Sequence, residues 1–299
     1  MSTRSLSTCL LIYFTTMPEL PEVETIARDL HQHLAGWAIV GVTVREPRSI
    51  DGLTPQEFSE RLTGQRIRGV GRRAKYIVME LESGERLLVH LRMTGRLLLR
   101  SPDDPLDKHT HVVLDLEPGC QSQSAAGATQ LRFVDTRKFG RLRLVAPQHL
   151  ADLDERLGPE PLLDDFTPQV LSELLRGRRT KLKPFLLDQR RLAGLGNIYA
   201  DESLFLAGLH PERAAGSLTP DEVARLHAAI RHVLAAAIGN RGTSLSDAEY
   251  RDATGQKGRH LEHLAVFRRT GQPCPRCGTA IQRIRLGGRS THFCPRCQV

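Results

Sequence analysis

The residues with the clearest chemical potential are Met17, Pro18 and Glu19. An aminopeptidase that removed Met17 would leave Pro18 with a free secondary amine. Such an amine can add to a sugar carbon and collapse to an iminium, as a lysine does in a Schiff base. This iminium has no proton to lose, so it stays cationic and accepts electrons during later bond breaking. Glu19 could then protonate a ring oxygen or a leaving group. The pattern predicts covalent catalysis by an N-terminal proline.

A purely structural interpretation of the same stretch is also open. Pro21 occupies a position that suits the first turn of a helix, and Glu22 and Glu24 would lie near the positive end of that helix. This interpretation accounts for Pro21 and Glu24. It does not explain Pro18 or Glu19, and from these residues alone both interpretations stay open.

Cysteine spacing indicates a metal site near the end of the chain. The six cysteines are Cys9, Cys120, Cys274, Cys277, Cys294 and Cys297. The last four form two Cys-x-x-Cys pairs, a spacing that in an intracellular enzyme favours metal binding over disulfides. Each pair can bind one tetrahedral ion from a tight turn, which predicts a zinc ribbon. Four thiolates leave no open coordination position, so the zinc would be structural. Redox chemistry of the pairs is the weaker alternative.

The composition favours a polyanionic partner. The 299 residues allow two domains and a small appendage, and the net charge is +8 with a pI of about 9.5. Residues 255–299 alone hold nine Lys or Arg against one acid, Glu262. The runs 66–75 and 176–183 are also basic. A charge run is often only a solvated surface, but three of them beside the motifs favour nucleic acid. No apolar run is long enough to span a membrane.

The first sixteen residues stand apart from the rest. Residues 9–14 are apolar and follow a single arginine, Arg4. The run is too short for a membrane span and lacks a small-residue cleavage signature, so we do not expect a signal peptide. We expect translation to start at Met17. With the extension attached, Pro18 would be an internal tertiary amide and could not act as a nucleophile.

Hydrophobic periodicity predicts the elements that position these residues. Apolar residues at helical spacing follow Pro21 and end at Gly36; they are Val23, Ile26, Ala27, Leu30 and Leu34. Residues 37–146 then predict short strands separated by Gly, Pro and Asp turns, which favours a β-sandwich. These strands are Ala38–Arg45, Gln65–Val70, Tyr76–Leu81, Leu87–Leu91, Arg96–Leu99, His111–Leu116, Leu131–Val134 and Arg141–Val145.

A helical region follows the Gly-Pro-Glu-Pro sequence at 158–161. Helices are predicted from Thr167 to about 177, from Asn197 as the capping residue to 206, and from the capping box at Thr219 to Gly239. The polar stretch 242–261 predicts a mobile or functional loop. In contrast, 117–130 predicts an exposed loop without function.

The last predicted element is a hairpin between the cysteine pairs. Its strands are Ile281–Leu286 and Thr291–Cys294, with a turn at Gly287-Gly288 and Arg289 projecting from the tip. The predicted fold class is α+β. The predicted domains are an extension (1–16), a β-sandwich with a leading helix (17–148), a helical domain (149–265) and a zinc-ribbon hairpin (266–299).

Four motifs resemble the formamidopyrimidine-DNA glycosylase family. They are 17–25 (Met-Pro-Glu-Leu-Pro-Glu-Val-Glu-Thr), 72–76 (Arg-Arg-Ala-Lys-Tyr), 194–200 (Gly-Leu-Gly-Asn-Ile-Tyr-Ala) and the last two dozen residues. The resemblance covers 17–299 almost continuously. Leu20 favours this group over the sister endonuclease VIII group, which tends to begin Pro-Glu-Gly-Pro-Glu. The chain departs from the family at 266–269, where Val-Phe-Arg-Arg replaces the usual Val-Tyr-Gly-Arg and a glycine is lost.

The resemblance implies a bifunctional DNA glycosylase and abasic-site lyase. Its expected substrates are oxidised purines in duplex DNA, such as 8-oxoguanine and formamidopyrimidines. After the base is excised, the enzyme is expected to cleave the DNA at the abasic site by successive β- and δ-elimination. Pro18 would be the nucleophile and Glu19 the acid. Lys75 would contact a phosphate and carry a proton near the sugar, and Arg289 would bind phosphates and take part in the final elimination. One zinc ion is expected, and no diffusible cofactor.

The resemblance also implies how the chain would hold DNA. An enzyme that acts on a base inside a duplex must unstack it, and inserted side chains hold the gap open. Met93, Arg137 and Phe139 are the implied wedge, although a methionine is more often core filler. The helical region is the implied helix–two-turn–helix element, whose glycines at 194 and 196 would let the backbone approach a phosphate. The loop 242–261 is the implied lid over the flipped base. The implied phosphate contacts are His90, His109, Arg178, Lys183 and Asn197.

Two other functions remain open at this point. A pyrimidine-preferring glycosylase of the sister group would share the chemistry. A non-catalytic DNA-binding protein becomes possible if the extension stays attached. For the glycosylase we expect a monomer that binds damaged double-stranded DNA in the bacterial cytoplasm.

Overall fold

The computed structural model describes residues 17–119, 129–147, 155–245 and 250–299. The extension 1–16, Cys9, Cys120 and the predicted domain boundary at 148–149 lie outside these residues. So do parts of the two loops predicted at 117–130 and 242–261.

The first part of the chain is a helix followed by two antiparallel sheets. The first sheet has the strand order β1–β6–β7–β5, and the second has the order β2–β3–β4–β8. The alternation of buried residues turns one face of each strand inward, as at Ile77, Met79 and Leu81 in β3. The predicted β-sandwich is confirmed. Its elements are α1 (Leu20–Leu34), β1 (Ala38–Val44), α2 (Pro55–Leu62), β2 (Ile67–Arg73), β3 (Tyr76–Leu81), β4 (Arg86–His90), β5 (Gly95–Arg100), β6 (Thr110–Glu117), β7 (Gln130–Asp135) and β8 (Arg141–Val145).

The helix α2 was not predicted, because residues 37–146 were interpreted as strands throughout. Thr54 caps it, with the Thr54 side chain accepting from the Glu57 amide and the Glu57 side chain accepting from the Thr54 amide. Phe58 and Leu62 are fully buried in the sandwich core. The signal was readable, since proline follows Thr54 as it follows Thr219.

The second part is helical and has its own core. Its helices are α3 (Pro168–Leu175), α4 (Leu182–Leu187), α5 (Asn197–Ala207) and α6 (Pro220–Gly239). Thr167 and Thr219 cap α3 and α6 as predicted. For α5 the prediction was wrong by one residue, because Gly196 is the N-cap and Asn197 is the first helical residue. Leu20 of α1 packs into this second core, so α1 joins both parts.

The last part is a two-stranded ribbon of β9 (Gln282–Leu286) and β10 (Arg289–Phe293). It confirms the predicted hairpin, with the turn at Gly287-Gly288. Upstream, Arg268 has a φ of +59°, the left-handed conformation that glycine favours. The turn is therefore made here by an arginine. Among the described residues no helix is long and apolar enough to cross a membrane.

Candidate active site

The carboxylate of Glu19 lies at the N-terminus of α5. Its Oε2 accepts hydrogen bonds from the amides of Gly196 (2.8 Å) and Tyr199 (3.3 Å), and its Oε1 accepts from the amide of Ile198 (2.9 Å). Helices leave such amides without intrahelical partners. The side chain is 2% exposed, and burial raises the pKa of Glu19 although Lys75 and the amides oppose the shift. A carboxyl with a raised pKa is suited to hold and deliver a proton.

The glycines before α5 make room for the beginning of the chain. A Cβ atom at Gly196 would lie 2.3 Å from Cδ of Glu19, and one at Gly194 would lie 2.6 Å from Cδ1 of Leu20. Gly194 also has a φ of +87°, and its carbonyl accepts from the Leu20 amide at 3.1 Å. The structure gives a different reason for these glycines, since the backbone there approaches residues 19 and 20. A phosphate contact at this place stays a prediction. Pro18, directly before Glu19, is buried.

Glu22 is a buried partner of Glu19 that sequence reasoning assigned only to the helix end. Its Oε2 accepts from the Glu19 amide at 2.9 Å, and its Oε1 accepts from the Tyr199 hydroxyl at 2.5 Å and the Thr243 amide at 2.7 Å. Burial, with repulsion from Glu19, raises the pKa of Glu22 to about 7. Nothing in the local sequence indicates the partners Tyr199 and Thr243, which lie 177 and 221 residues away in the chain.

Lys75 lies in the tight turn between β2 and β3, and Glu160 holds this turn. The Glu160 carboxylate accepts from the Ala74 amide (2.5 Å), from Nη1 of Arg73 (3.0 Å) and from Nη1 of Arg72 (2.7 Å). The Arg72 side chain is 8% exposed. The structure therefore corrects the DNA-facing interpretation for Arg72 only, because this member of the basic run is an internal ion-pair partner. Glu160 was interpreted only as part of a chain break.

Lys75 lies among the other predicted catalytic charges. It is 6% exposed, and burial lowers its pKa, with Arg289 adding to the shift while Glu19 and Glu22 oppose it. A lysine with a lowered pKa can exchange a proton more readily near neutral pH. Arg289 is exposed at the start of β10, as predicted for the hairpin tip. The structure thus brings Glu19, Lys75 and Arg289 within electrostatic reach of one another.

Lys183 is wrong as a predicted phosphate contact. Its side chain is fully buried, with Nζ 2.7 Å from Oδ1 of Asp201 and donating to the Ser290 carbonyl at 2.7 Å. Asp201 in turn accepts from the amide of His292 at 2.9 Å. Lys183 and Asp201 therefore satisfy two main-chain groups of β10, directly after Arg289. Their role in this structure is to attach the ribbon to the helical part.

The predicted wedge residues lie on two turns that are tied together. Phe139 is 47% exposed and the Cζ atom of Arg137 lies 4.8 Å from its ring centroid. Met93 is half-buried and is not part of either core. The Thr94 hydroxyl donates to Asp135, which also accepts from the Arg137 amide at 3.1 Å. The turn after β4 and the turn after β7 are therefore coupled.

Three non-glycine residues with left-handed backbones directly precede predicted functional residues. Ala74, Arg92 and Lys138 have φ values of +51°, +54° and +58°. They precede Lys75, Met93 and Phe139 respectively. Such conformations cost about 1 kcal/mol or more and persist where the surroundings fix them, often at functional sites. This pattern supports a role for all three turns.

His90, at the end of β4, is a neutral imidazole. Burial, with the charges of Arg92 and Lys75, lowers its pKa to about 3. Its Nδ1 accepts from the Arg92 amide at 3.0 Å, so the proton lies on Nε2. The Tyr76 ring packs edge-on against the His90 ring, with 4.6 Å between the ring centroids. His90 can donate one hydrogen bond but carries no charge.

The remaining predicted DNA contacts are accessible to different degrees. His109 is half-buried and Arg178 is exposed in the turn after α3. Asn197 is half-buried, and its buried Oδ1 has no hydrogen-bond partner among the described residues. These three positions are compatible with a polar ligand.

The four cysteines fit one structural zinc ion. Their sulfur atoms all lie within 4.8 Å of one another, with 3.9 Å between Cys274 and Cys297 and 3.5 Å between Cys277 and Cys294. A tetrahedral ion with Zn–S bonds of 2.3 Å needs separations of about 3.8 Å. The amides of Arg276 and Cys297 also donate to Cys274 and Cys294 at 3.4 Å, as thiolate ligands require. The predicted four-cysteine zinc site is confirmed.

Sequence comparisons match three family models along the chain. Residues 17–142 match the formamidopyrimidine-DNA glycosylase N-terminal domain, 157–249 match the formamidopyrimidine-DNA glycosylase H2TH domain, and 271–299 match the zinc finger found in FPG and IleRS. The formamidopyrimidine-DNA glycosylase of Herpetosiphon aurantiacus is 50% identical over 283 residues, which cover 94% of this chain and 100% of the relative. That of Chloroflexus aggregans is 50% identical over 284 residues, with coverage of 95% and 99%.

Solved structures of Lactococcus lactis Fpg bound to DNA have the same fold. The wild-type complex with N7-benzyl-Fapy-dG DNA has a TM-score of 0.84 at 39% identity. A complex with abasic-site DNA has a TM-score of 0.84 at 38% identity. Both alignments cover 94% of this chain and 99% of the other. The fold and site therefore define a DNA glycosylase with an attached abasic-site lyase activity. The chain belongs to the formamidopyrimidine-DNA glycosylase family.

Proposed function

We propose that this enzyme excises oxidised purines, such as 8-oxoguanine and formamidopyrimidines, from duplex DNA and then cleaves the abasic site. The single observation that carries the proposal is the placement of Glu19 on the amides of α5, beside Pro18 and within electrostatic reach of Lys75. These groups supply a nucleophile, an acid and a proton carrier in one buried place. The Lactococcus lactis protein was solved with N7-benzyl-Fapy-dG DNA and with abasic-site DNA.

The chemistry begins with the nitrogen of Pro18, once Met17 and the extension are absent. The nitrogen attacks the anomeric carbon, the bond to the base breaks, and the proton lost from the nitrogen goes to the leaving base. The proton held by Glu19 goes to the sugar ring oxygen as its bond to the anomeric carbon breaks, and an iminium remains. The iminium makes the neighbouring sugar C–H acidic. Removal of this proton expels the 3′ phosphate, and a second elimination expels the 5′ phosphate. We assign these proton transfers to Lys75, because its pKa is lowered by burial. We assign the binding of the phosphates to Arg289.

The DNA would lie across the two tied turns and the ribbon tip. Met93, Arg137 and Phe139 would fill the gap left by the flipped nucleotide. His90 would donate a neutral hydrogen bond to a phosphate from Nε2, while Arg178 supplies charge. His109 and Asn197 complete the proposed contacts. We also propose the domain limits 17–148, 149–265 and 266–299, action as a monomer, and a cytoplasmic location with the DNA.

Trapping by borohydride tests this proposal, because only an iminium can be reduced to a stable protein–DNA adduct. A protein that begins at Pro18 should form the adduct on an 8-oxoguanine duplex. The same protein with Pro18→Gly should trap much less. A protein that begins at Pro18 and forms no adduct would overturn the enzymatic proposal, and equal trapping by Pro18→Gly would overturn the nucleophile.

A second candidate substrate class is oxidised pyrimidine. One observation favours it: wild-type Lactococcus lactis Fpg, which is 38% identical to this chain, was solved in complex with DNA containing an oxidised pyrimidine. Parallel excision assays on 8-oxoguanine and thymine glycol duplexes separate the two. Faster cleavage of the thymine glycol duplex would move the proposal to pyrimidines.

The start of the mature chain decides whether the enzyme is active at all. We propose Met17 as the translation start, and mass spectrometry of the native N-terminus tests this. Detection of Met1 or Ser2 would leave Pro18 in a peptide bond and would favour a DNA-binding protein without glycosylase chemistry.

A further inference from the structure

Arg241, the second residue after α6, has an unusual backbone and two acidic partners. Its φ is +60°, in the left-handed region that non-glycine residues rarely adopt. Its Nη2 lies 2.6 Å from Oδ2 of Asp29 and 2.6 Å from Oδ2 of Asp252, and its Nε lies 3.1 Å from the same Asp252 oxygen. The Asp29 side chain is 11% exposed and the Asp252 side chain 1%. One guanidinium therefore bridges α1 and the segment that begins at residue 250.

Asp252 organises that segment. Its Oδ1 accepts from the amides of Thr254 (3.0 Å) and Gln256 (2.8 Å). The Tyr250 hydroxyl donates to the carbonyl of Arg241 at 3.0 Å, and the Ala253 carbonyl accepts from the amide of Leu99 in β5 at 2.8 Å. Both Tyr250 and Ala253 are buried in the sandwich core. The segment 250–256 is thus attached to the first part of the chain, and Arg241 attaches it to the second.

The same bridge adjoins the candidate active site through α1. Glu22 and Asp29 are seven residues apart and lie on one face of the helix. Asp29 binds Arg241, while Glu22 accepts from the amide of Thr243, two residues further on. Glu22 also accepts from the amide of Glu19. Movement of Arg241 would therefore be transmitted to the main chain at 243, whereas the Glu19 carboxylate would stay on the amides of α5, which do not depend on Arg241.

We propose that Arg241 is a positioning residue for base excision, which fixes residues 241–245 and 250–256 against α1 through Asp29 and Asp252. It acts through these segments and does not itself touch the nucleotide. The inference rests on the proposed function. If the segments position a damaged base, loss of the bridge should slow excision of that base. An abasic site has no base to position, so its cleavage should be unaffected.

Arg241→Asn tests the idea, because asparagine tolerates the left-handed backbone and removes the charge. Arg268→Asn is a matched control, with the same charge change and a φ of +59°. Single-turnover excision of 8-oxoguanine by Arg241→Asn should fall about tenfold or more, as misplacement of catalytic geometry does. Borohydride trapping on an abasic duplex should stay within about twofold of the unsubstituted protein. Arg268→Asn should change neither, and Arg241→Lys should recover part of the loss.

Asp29→Asn is the milder second variant, because it removes one partner and leaves Asp252. It should reduce excision in the same direction by a smaller factor, even if Arg241→Asn folds poorly. Unchanged excision in both variants, or equal losses on the 8-oxoguanine and abasic duplexes, would overturn the inference. Failure of the unsubstituted protein to trap on an abasic duplex would instead overturn the proposed function.

Discussion

The buried pair of Lys183 and Asp201 gives a prediction whose size follows from the structure. Both side chains have no exposed area, and the pair also satisfies the Ser290 carbonyl and the His292 amide. Asp201→Asn keeps the shape but leaves the ammonium without its counter-ion. Breaking one partner of a buried pair costs about 3–5 kcal/mol. In a protein of this size each kcal/mol lowers Tm by about 2–4 °C, so Tm should fall by about 6–20 °C.

Thermal unfolding at constant zinc measures this loss. Lys183→Met should show a similar decrease, whereas Lys181→Met is a matched control. Lys181 is 49% exposed and pairs with Glu212 at the surface, so its replacement should cost about 0.5 kcal/mol or less. A double variant, Lys183→Met with Asp201→Leu, should lose less than the two single losses combined. It should not regain full stability, because two buried main-chain groups then lack partners at about 1–3 kcal/mol each.

A DNA-binding measurement separates this role from the phosphate contact that the sequence predicted. A phosphate ligand would leave Tm unchanged on replacement and would lower the slope of log K against log salt by about 0.9. That outcome for Lys183→Met would refute the buried-pair interpretation. Destabilisation without that change in the slope would support it.

Three further predictions concern the acids, the glycine and the metal. The pKa of Glu22 is raised to about 7, so the folded state binds this proton more tightly than the unfolded state does. The free energy of unfolding should therefore fall by about 3 kcal/mol as pH rises from about 4.5 to 7. In Glu22→Gln this decrease should be absent from thermal melts at pH 5 and pH 8, and an unchanged decrease would contradict the assignment. Gly196→Ala should abolish borohydride trapping, because its Cβ would lie 2.3 Å from Glu19, while Gly239→Ala, with open space around the site, should trap normally. Chelation of zinc should melt the ribbon, displace Arg289 and reduce DNA cleavage; full cleavage by metal-free protein would argue against a structural zinc.

The strands were largely predictable because their signals are local. The predicted limits of Tyr76–Leu81 and Arg141–Val145 agree with the structure, since alternating apolar residues fix both the strand and its buried face. The cysteine ribbon was predictable for the same reason, as its spacing contains the geometry of the site. The helix at Pro55–Leu62 also has a local signal, its capping box, but the strands predicted on both sides of it favour an extended interpretation of the same residues.

Long-range partners could not be predicted from the residues beside them. Lys183 lies in a basic run and precedes a proline, which is typical of a surface turn, and its burial depends on Asp201 and the ribbon. The Gly-Pro-Glu-Pro sequence around Glu160 is typical of a break between domains, yet Glu160 holds the turn that contains Lys75. In each case the local sequence specifies the residue type, and only the packing of distant segments specifies its partner.

The attachment of Glu19 to α5 has a consequence for how the enzyme can be regulated by its own motion. The Glu19 carboxylate accepts from the first amides of a helix that belongs to the second part of the chain. A motion that separated this helix from α1 would remove the amides of Gly196, Ile198 and Tyr199 from the carboxylate and expose it to water. The proton affinity of Glu19 therefore depends on how the helical part is placed against the start of the chain.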